Sequence, residues 1–219
     1  MFSKTITAIA GLGLLAIAPA QAQSERAAAP VSIMFPALDE YLALDEDQRS
    51  HFTIRYILSS FSGETTDFDV WIETDDGRAP IERSAEDIVD IDTVAPFLQS
   101  DPVVMTTLPE GDGNLTVKLV PQLDLTREIS MEDICLSLEQ GREALSGSDG
   151  IMAELSPTLK GVGFLLEPGT DVRLAGGDLS EESLPSEQGD VWIEPSADMC
   201  DSGGAMVFSK PPLDQDFSQ

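Results

Sequence analysis

Histidine is almost missing from this 219-residue chain, which carries only His51, and cysteine is held to two residues, Cys135 and Cys200. One imidazole and two thiols are too few for the clusters that hold zinc or iron–sulfur centres, and no Cys-x-x-Cys or paired-histidine motif occurs. Basic residues are scarce too: 12 Lys and Arg stand against 40 Asp and Glu, a net charge of −28. A field of that sign repels phosphate, which excludes nucleic acid and anionic lipid as partners. Past the first two dozen residues no stretch approaches the ~20 apolar residues of a membrane-spanning helix. No glycine-rich phosphate loop is present either; "GVGF" (Gly161 to Phe164) has too few glycines for a dinucleotide fingerprint.

What is there begins with "MFSKTITAIAGLGLLAIAPAQAQ": one Lys, an apolar run over 6–18, Pro19, and a small-x-small exit at Ala20-Gln21-Ala22. This pattern predicts a secretory signal peptide over residues 1–22, cleaved after Ala22, and a mature protein that is periplasmic or secreted. Losing Lys4 with it leaves the mature chain more acidic still. In an oxidising compartment the even pair Cys135 and Cys200 reads as one disulfide, whose closure would stabilise the fold by roughly 4 kcal/mol.

Acidity of this order can mean disorder, but 42% of the residues are hydrophobic and they fall in periodic segments, so a packed core is expected. Residues 23–30 read as a flexible lead-in. The spacing of Leu38 and Leu42 predicts an amphipathic helix over 36–50. "HFTIRYILSS" is β-branched and aromatic and predicts a strand, and "DVWIETDDGRAPIE" predicts a hairpin turning at Asp75-Asp76-Gly77. "PVVMTTLPEGDGNLTVKLVP" predicts a second hairpin. Ile134, Leu138 and Leu145 lie on one face of a second helix in "ISMEDICLSLEQGREALSG", with Ser130 and Asp133 in a capping arrangement. Further hairpins are expected around Pro168-Gly169 and from Val191 on, and a loose tail over 214–219.

Setting Val70 against Val162 aligns the turn glycines Gly77 and Gly169, the strand starts Val103 and Val191, and the closing prolines Pro121 and Pro211. The expected fold is therefore α+β and β-rich: two related halves, 31–125 and 128–213, each a helix on antiparallel hairpins, forming sandwich-like sheets with two main helices.

Both tryptophans sit in one repeated pentapeptide, "DVWIE", at 69–73 and 190–194. Strand alternation puts Trp71 with Asp69 and Glu73 on one face, and Trp192 with Asp190 and Glu194 likewise. A tryptophan between carboxylates can stack on a sugar or a cation, so Trp71, Glu73, Trp192 and Glu194 are the candidate ligand contacts. The acid-rich "SAEDIVDID" makes Asp87, Asp90 and Asp92 the candidate calcium ligands, although it lacks the EF-hand spacing. No other cofactor is implied.

"CDSGGA" at 200–205 resembles the nucleophile loop of the chymotrypsin-like serine proteases, which implies Ser202 as nucleophile with His51 as base. Three features depart from that family. "RSHFTIR" is not its histidine setting, only a short segment follows Ser202, and Gly203-Gly204 is explained by a turn. Paired carboxylates of a glycosidase type cannot be selected from so many acids. The sequence thus points to a noncatalytic exported binding or envelope-associated module for a protein, glycan or cationic ligand. The alternative is a carboxylate-dependent hydrolase of envelope or extracellular polymers.

Overall fold

The computed structural model describes residues 24–63, 67–147, 158–179, 181–186 and 189–218; the expected signal peptide over 1–22 lies outside them. The strands are β1 (Arg26–Pro30), β2 (Phe52–Ser60), β3 (Val70–Thr74), β4 (Gly77–Pro80), β5 (Val103–Thr106), β6 (Gly113–Pro121), β7 (Glu128–Ser130), β8 (Gly161–Leu165), β9 (Val172–Ala175), β10 (Glu182–Leu184), β11 (Asp190–Ile193), β12 (Ala205–Phe208) and β13 (Asp214–Ser218). The helices are α1 (Val31–Met34), α2 (Leu38–Ala43), α3 (Met131–Gly147) and α4 (Ala197–Cys200), with 3₁₀ turns at Glu46–Gln48, Ile91–Thr93 and Ala95–Phe97. The fold is α+β with antiparallel sheets, as the sequence predicts.

Among the described residues four sheets form: β1-β5-β3-β4, β2-β6, β10-β9-β12-β7 and β11-β8-β13. Read in chain order, the two four-stranded sheets have the same plan: β1, β3, β4 and β5 take the places of β7, β9, β10 and β12. Matching hydrogen bonds accompany this. Val31 N–H donates to Pro102 O at 3.0 Å, and Met131 N–H to Gly204 O at 2.9 Å. Thr107 N–H donates to Asp69 O (3.1 Å) and Ser209 N–H to Asp171 O (2.9 Å). The return bonds run from Asp69 N–H to Thr107 Oγ1 (2.9 Å) and from Asp171 N–H to Ser209 Oγ (2.8 Å). Beside β2, Leu58 N–H donates to Asp87 O (3.0 Å); beside β8, Leu166 N–H donates to Gly189 O (2.7 Å). The left-handed Asp87 (φ 61°) and Asp101 (φ 45°) thus stand where Gly189 (φ 96°) and Gly203 (φ 66°) stand. This geometry sets Val70 against Val172, not Val162.

Local turn signals located the chain reversals, but several expected hairpins are not hairpins. β5 pairs with β1 and β3 while β6 pairs with β2. β8 pairs with β11 and β13, and β9 with β10 and β12. After each turn the chain crosses to another sheet, as strands of packed layers do. Only β3 and β4 pair across their own tight turn. The expected helix over 36–50 is broken into α2 and a 3₁₀ turn because Ala37 is left-handed and Leu44 extended. That break lets Tyr41 pack edge-on against Phe52 and Phe35 against Tyr56. The lead-in and the tail are not loose: they form β1 and β13. Arg26 anchors β1 by donating to Leu108 O (2.6 Å) and Pro109 O (3.0 Å), and Gln215 and Phe217 bury the inner side of β13.

α3 starts where Ser130 Oγ accepts from Asp133 N–H (3.0 Å), with Glu132 and Asp133 in the first turn complementing the helix dipole. It buries Met131, Ile134 and Leu138, each worth about 1.5–3 kcal/mol. Gly141 lets it approach β13, since a Cβ there would fall 2.8 Å from Leu159 and 3.3 Å from the Phe217 ring. The Cys135–Cys200 disulfide ties α3 to α4. One apolar core draws on both halves, including Phe35, Tyr56, Ile72, Leu138, Phe164 and Phe208.

Tyr56 lies at the centre of this core with no exposed surface, and its hydroxyl donates to Pro36 O at 2.6 Å. Burial, aided by the charges of Asp39 and Glu40, raises its pKa far above the ordinary tyrosine range. The unfolded chain ionises Tyr56 at about pH 10 and the folded chain does not, so this contribution is intact below that pH and declines above it. Tyr56→Phe should cost about 1 kcal/mol at pH 7 through the lost hydrogen bond. Above pH 10 the wild type should lose about 1.4 kcal/mol per pH unit relative to the variant, and urea melts of the pair at pH 7, 9 and 11 measure the crossover.

Candidate functional site

The two "DVWIE" strands have opposite fates. β3 lies inside its sheet, between β4 and β5, and Trp71 is only 3% exposed. Its indole Nε1–H donates to Glu73 Oε2 (3.1 Å), and the guanidinium of Arg78, facing Glu73 across the hairpin, covers the ring at 4.5 Å. Arg78 also holds Glu25 Oε2 at 2.6 Å. That hydrogen bond raises its pKa; desolvation opposes it, and the charges of Glu25, Glu73 and Asp69 add to the rise. Trp71 and Glu73 are therefore brought together, but as a site already filled by the protein's own arginine.

β11 is the edge of its sheet, and Trp192 is 51% exposed. The register β11-β8-β13 sets Trp192, Gly163 and Asp216 in one row and Asp190, Leu165 and Asp214 in the next. On the inner face, Val191 and Ile193 are buried with Val162 and Phe164. The indole lies directly over Gly163: a Cβ at that position would sit 2.2 Å from the ring. The sheet therefore offers a tryptophan seated on bare backbone, beside the exposed Leu165, above a shallow recess of about 220 Å³. Carboxylates ring it. Asp214 pairs with Arg55 (3.2 Å) and Asp216 with Lys118, whereas Asp190 and the exposed Glu194 have no ion-pair partner among the described residues.

The candidate calcium ligands are engaged separately. Asp87 binds Arg83 at 2.6 Å, and Asp90 accepts from Asp92 N–H at 3.1 Å to start a 3₁₀ turn. Among the described residues no three His, Cys, Asp or Glu side chains are grouped to hold a metal ion.

Ser202 is buried, with its hydroxyl donating to Met199 O (2.6 Å) and accepting from Gly204 N–H (3.1 Å), so it closes the turn after α4. His51 does not meet it. Its Nδ1 lies 2.9 Å from Ser50 Oγ and its Nε2 3.7 Å from Asp133 Oδ1. The protease resemblance thus ends at the turn geometry. Sequence reading overlooked the polar recess of about 480 Å³ around His51, lined also by Asp124, Glu128 and Asp133. No local motif marks it, because its walls come from the segment before β2, the segment after β6, β7 and α3. Comparison with protein-family models, with curated proteins and with solved structures finds no match to this chain.

The two indoles should differ in accessibility. Acrylamide is expected to quench one of two emitting populations, and Trp192→Phe to remove that population. Arg78→Ala should make Trp71 quenchable as well; equal quenching of both tryptophans in the wild type would contradict the burial described.

Proposed function

We propose that this chain is a noncatalytic binding module of the periplasm or extracellular space, and that the outer face of β11-β8-β13 is its ligand surface. The observation that carries this reading is Trp192, half exposed on a glycine seat within a carboxylate rim. An exposed aromatic flat on a sheet stacks on sugar rings or cations, and the rest of the face is rigid enough to hold it in place. Export is supported by the leader-like N-terminus and by the Cys135–Cys200 bridge. No helix among the described residues is long and apolar enough to cross a membrane. We read the matched sheets and hydrogen bonds as two tandem copies of one unit, of which the second has been adapted for binding. Arg55 and Gly163 occupy equivalent positions on β2 and β8 in this scheme, and only the glycine leaves room for an indole.

Thermal melts of the oxidised mature chain with a panel of glycans and basic peptides test the reading. A ligand at a hundred times its dissociation constant should stabilise by about 2.7 kcal/mol, or about 5–10 °C at this chain length. Trp192→Ala should abolish the shift; an undiminished shift in that variant sinks the proposal.

A second reading, a carboxylate-dependent hydrolase of envelope polymers, draws on the recess that gathers His51, Asp124, Glu128 and Asp133. Under the leading reading the wild type and Asp133→Asn both release no soluble fragments from peptidoglycan or polysaccharide. Turnover that disappears in Asp133→Asn would favour the hydrolase instead.

A further inference from the structure

The protein contains its own example of what "DVWIE" holds. In the first copy the guanidinium of Arg78 lies over the Trp71 indole, is ion-paired to Glu25, and feels the charges of Glu73 and Asp69, while Glu73 accepts the indole N–H. The second copy repeats the three groups of the strand as Asp190, Trp192 and Glu194, without the Glu25 that a separate segment brings to the first. What differs is the neighbouring strand. β4 presents Arg78 opposite Glu73, whereas β8 presents Gly163 opposite Trp192 and Gly161 next along the same face. Among the described residues no side chain fills the place of Arg78 there, and the indole is half exposed.

Resting on the binding-face reading above, we infer that Trp192, Asp190 and Glu194 take an arginine side chain from a basic segment of a partner protein. The chemistry is specific in three ways. A guanidinium is planar and weakly hydrated, so it stacks on an indole with less desolvation than an ammonium. Asp190 lines the recess at the ring and Glu194 follows directly after β11, so both carboxylates can answer the charge. The net charge of −28 steers a basic partner toward the whole molecule, and Leu165 beside the ring offers apolar cover for the arginine stem.

The test is an NMR titration of the full mature chain, following the two indole N–H signals. The probe is a capped peptide of three arginines separated by glycines, and its citrulline counterpart has the same shape without the charge. The Trp192 signal should shift saturably with the arginine peptide while that of Trp71 stays still. The citrulline peptide, and Trp192→Ala followed through backbone amides, should bind about tenfold more weakly. The double variant D190N/E194Q should weaken binding more than E181Q/E182Q, which removes the same charge from the loop before β10 and from β10 itself. Equal binding of the citrulline peptide, unimpaired binding by Trp192→Ala, or equal loss in the two double variants would overturn the inference. If a glycan moves the Trp192 signal and the arginine peptide does not, the arginine assignment falls and the binding face stands. If neither moves it, both fall.

Discussion

Two sheet systems become one molecule at the seam where β6 runs beside β13. These strands do not complete a backbone ladder, so the polar groups along the seam need other partners. Gln215 provides them: its side-chain amide accepts from Leu123 N–H (3.3 Å) and donates to Leu123 O (3.1 Å), standing in for a strand pair. Lys118 reaches Asp216 and Arg55 reaches Asp214 across the same line. Such partly exposed ion pairs contribute little free energy each. Their effect is to fix the register and cover the seam, while the apolar layer beneath it stabilises the fold. Leu119 of β6 and Phe217 of β13 are buried in one continuous core. Were the seam to open, each half would expose to water the apolar surface it now buries against the other.

Several of the scarce cations have structural tasks. Arg83 spans Asp87, the backbone carbonyls of Leu58 and Phe68, and the ring of Phe68 at 3.9 Å. Arg142 donates to Leu159 O (2.8 Å) and Lys160 O (3.2 Å), holding the chain that enters β8 against α3. With the basic side chains directed to seams and loop anchors, the surplus carboxylates face outward and set a strongly negative surface. That field acts over about 8–10 Å at ordinary ionic strength. It governs which partners approach, and leaves to local geometry the question of where they dock.

Much of the fold could be read from the residues. α3 was visible from the period of Ile134, Leu138 and Leu145 and the Ser130 cap, β2 from its β-branched run, and β3–β4 from an Asp-Gly turn. The disulfide followed from the even pair of cysteines and the expectation of export. What escaped was non-local. β1 is a run of alanines that becomes a strand because β5 accepts it, and β13 is mostly polar because its outer face meets the ion pairs of the seam. A turn signal states that the chain reverses but not which sheet it enters, so the strand partners were out of reach. The candidate site was half legible: alternation identified Trp71 and Trp192, yet nothing local distinguishes the one covered by Arg78 from the one that is open.

The difference between those two strands lies in their neighbours, and the neighbours are unfavourable for stability alone. Glycine within a strand costs roughly 0.5–1 kcal/mol relative to alanine, and β8 carries two, at Gly161 and Gly163. Leaving an indole half exposed forgoes a further part of the 1.5–3 kcal/mol that burying a large side chain supplies. At Gly161 the close approach of Ile193 O, 2.1 Å from where a Cβ would stand, accounts for the glycine through packing. At Gly163 the three atoms nearest to that space all belong to Trp192 itself. The glycine therefore serves the tryptophan, and the tryptophan serves no core. A local rule broken without a gain in packing marks a place where something other than folding has shaped the sequence, and here that place is the outer face of β11-β8-β13.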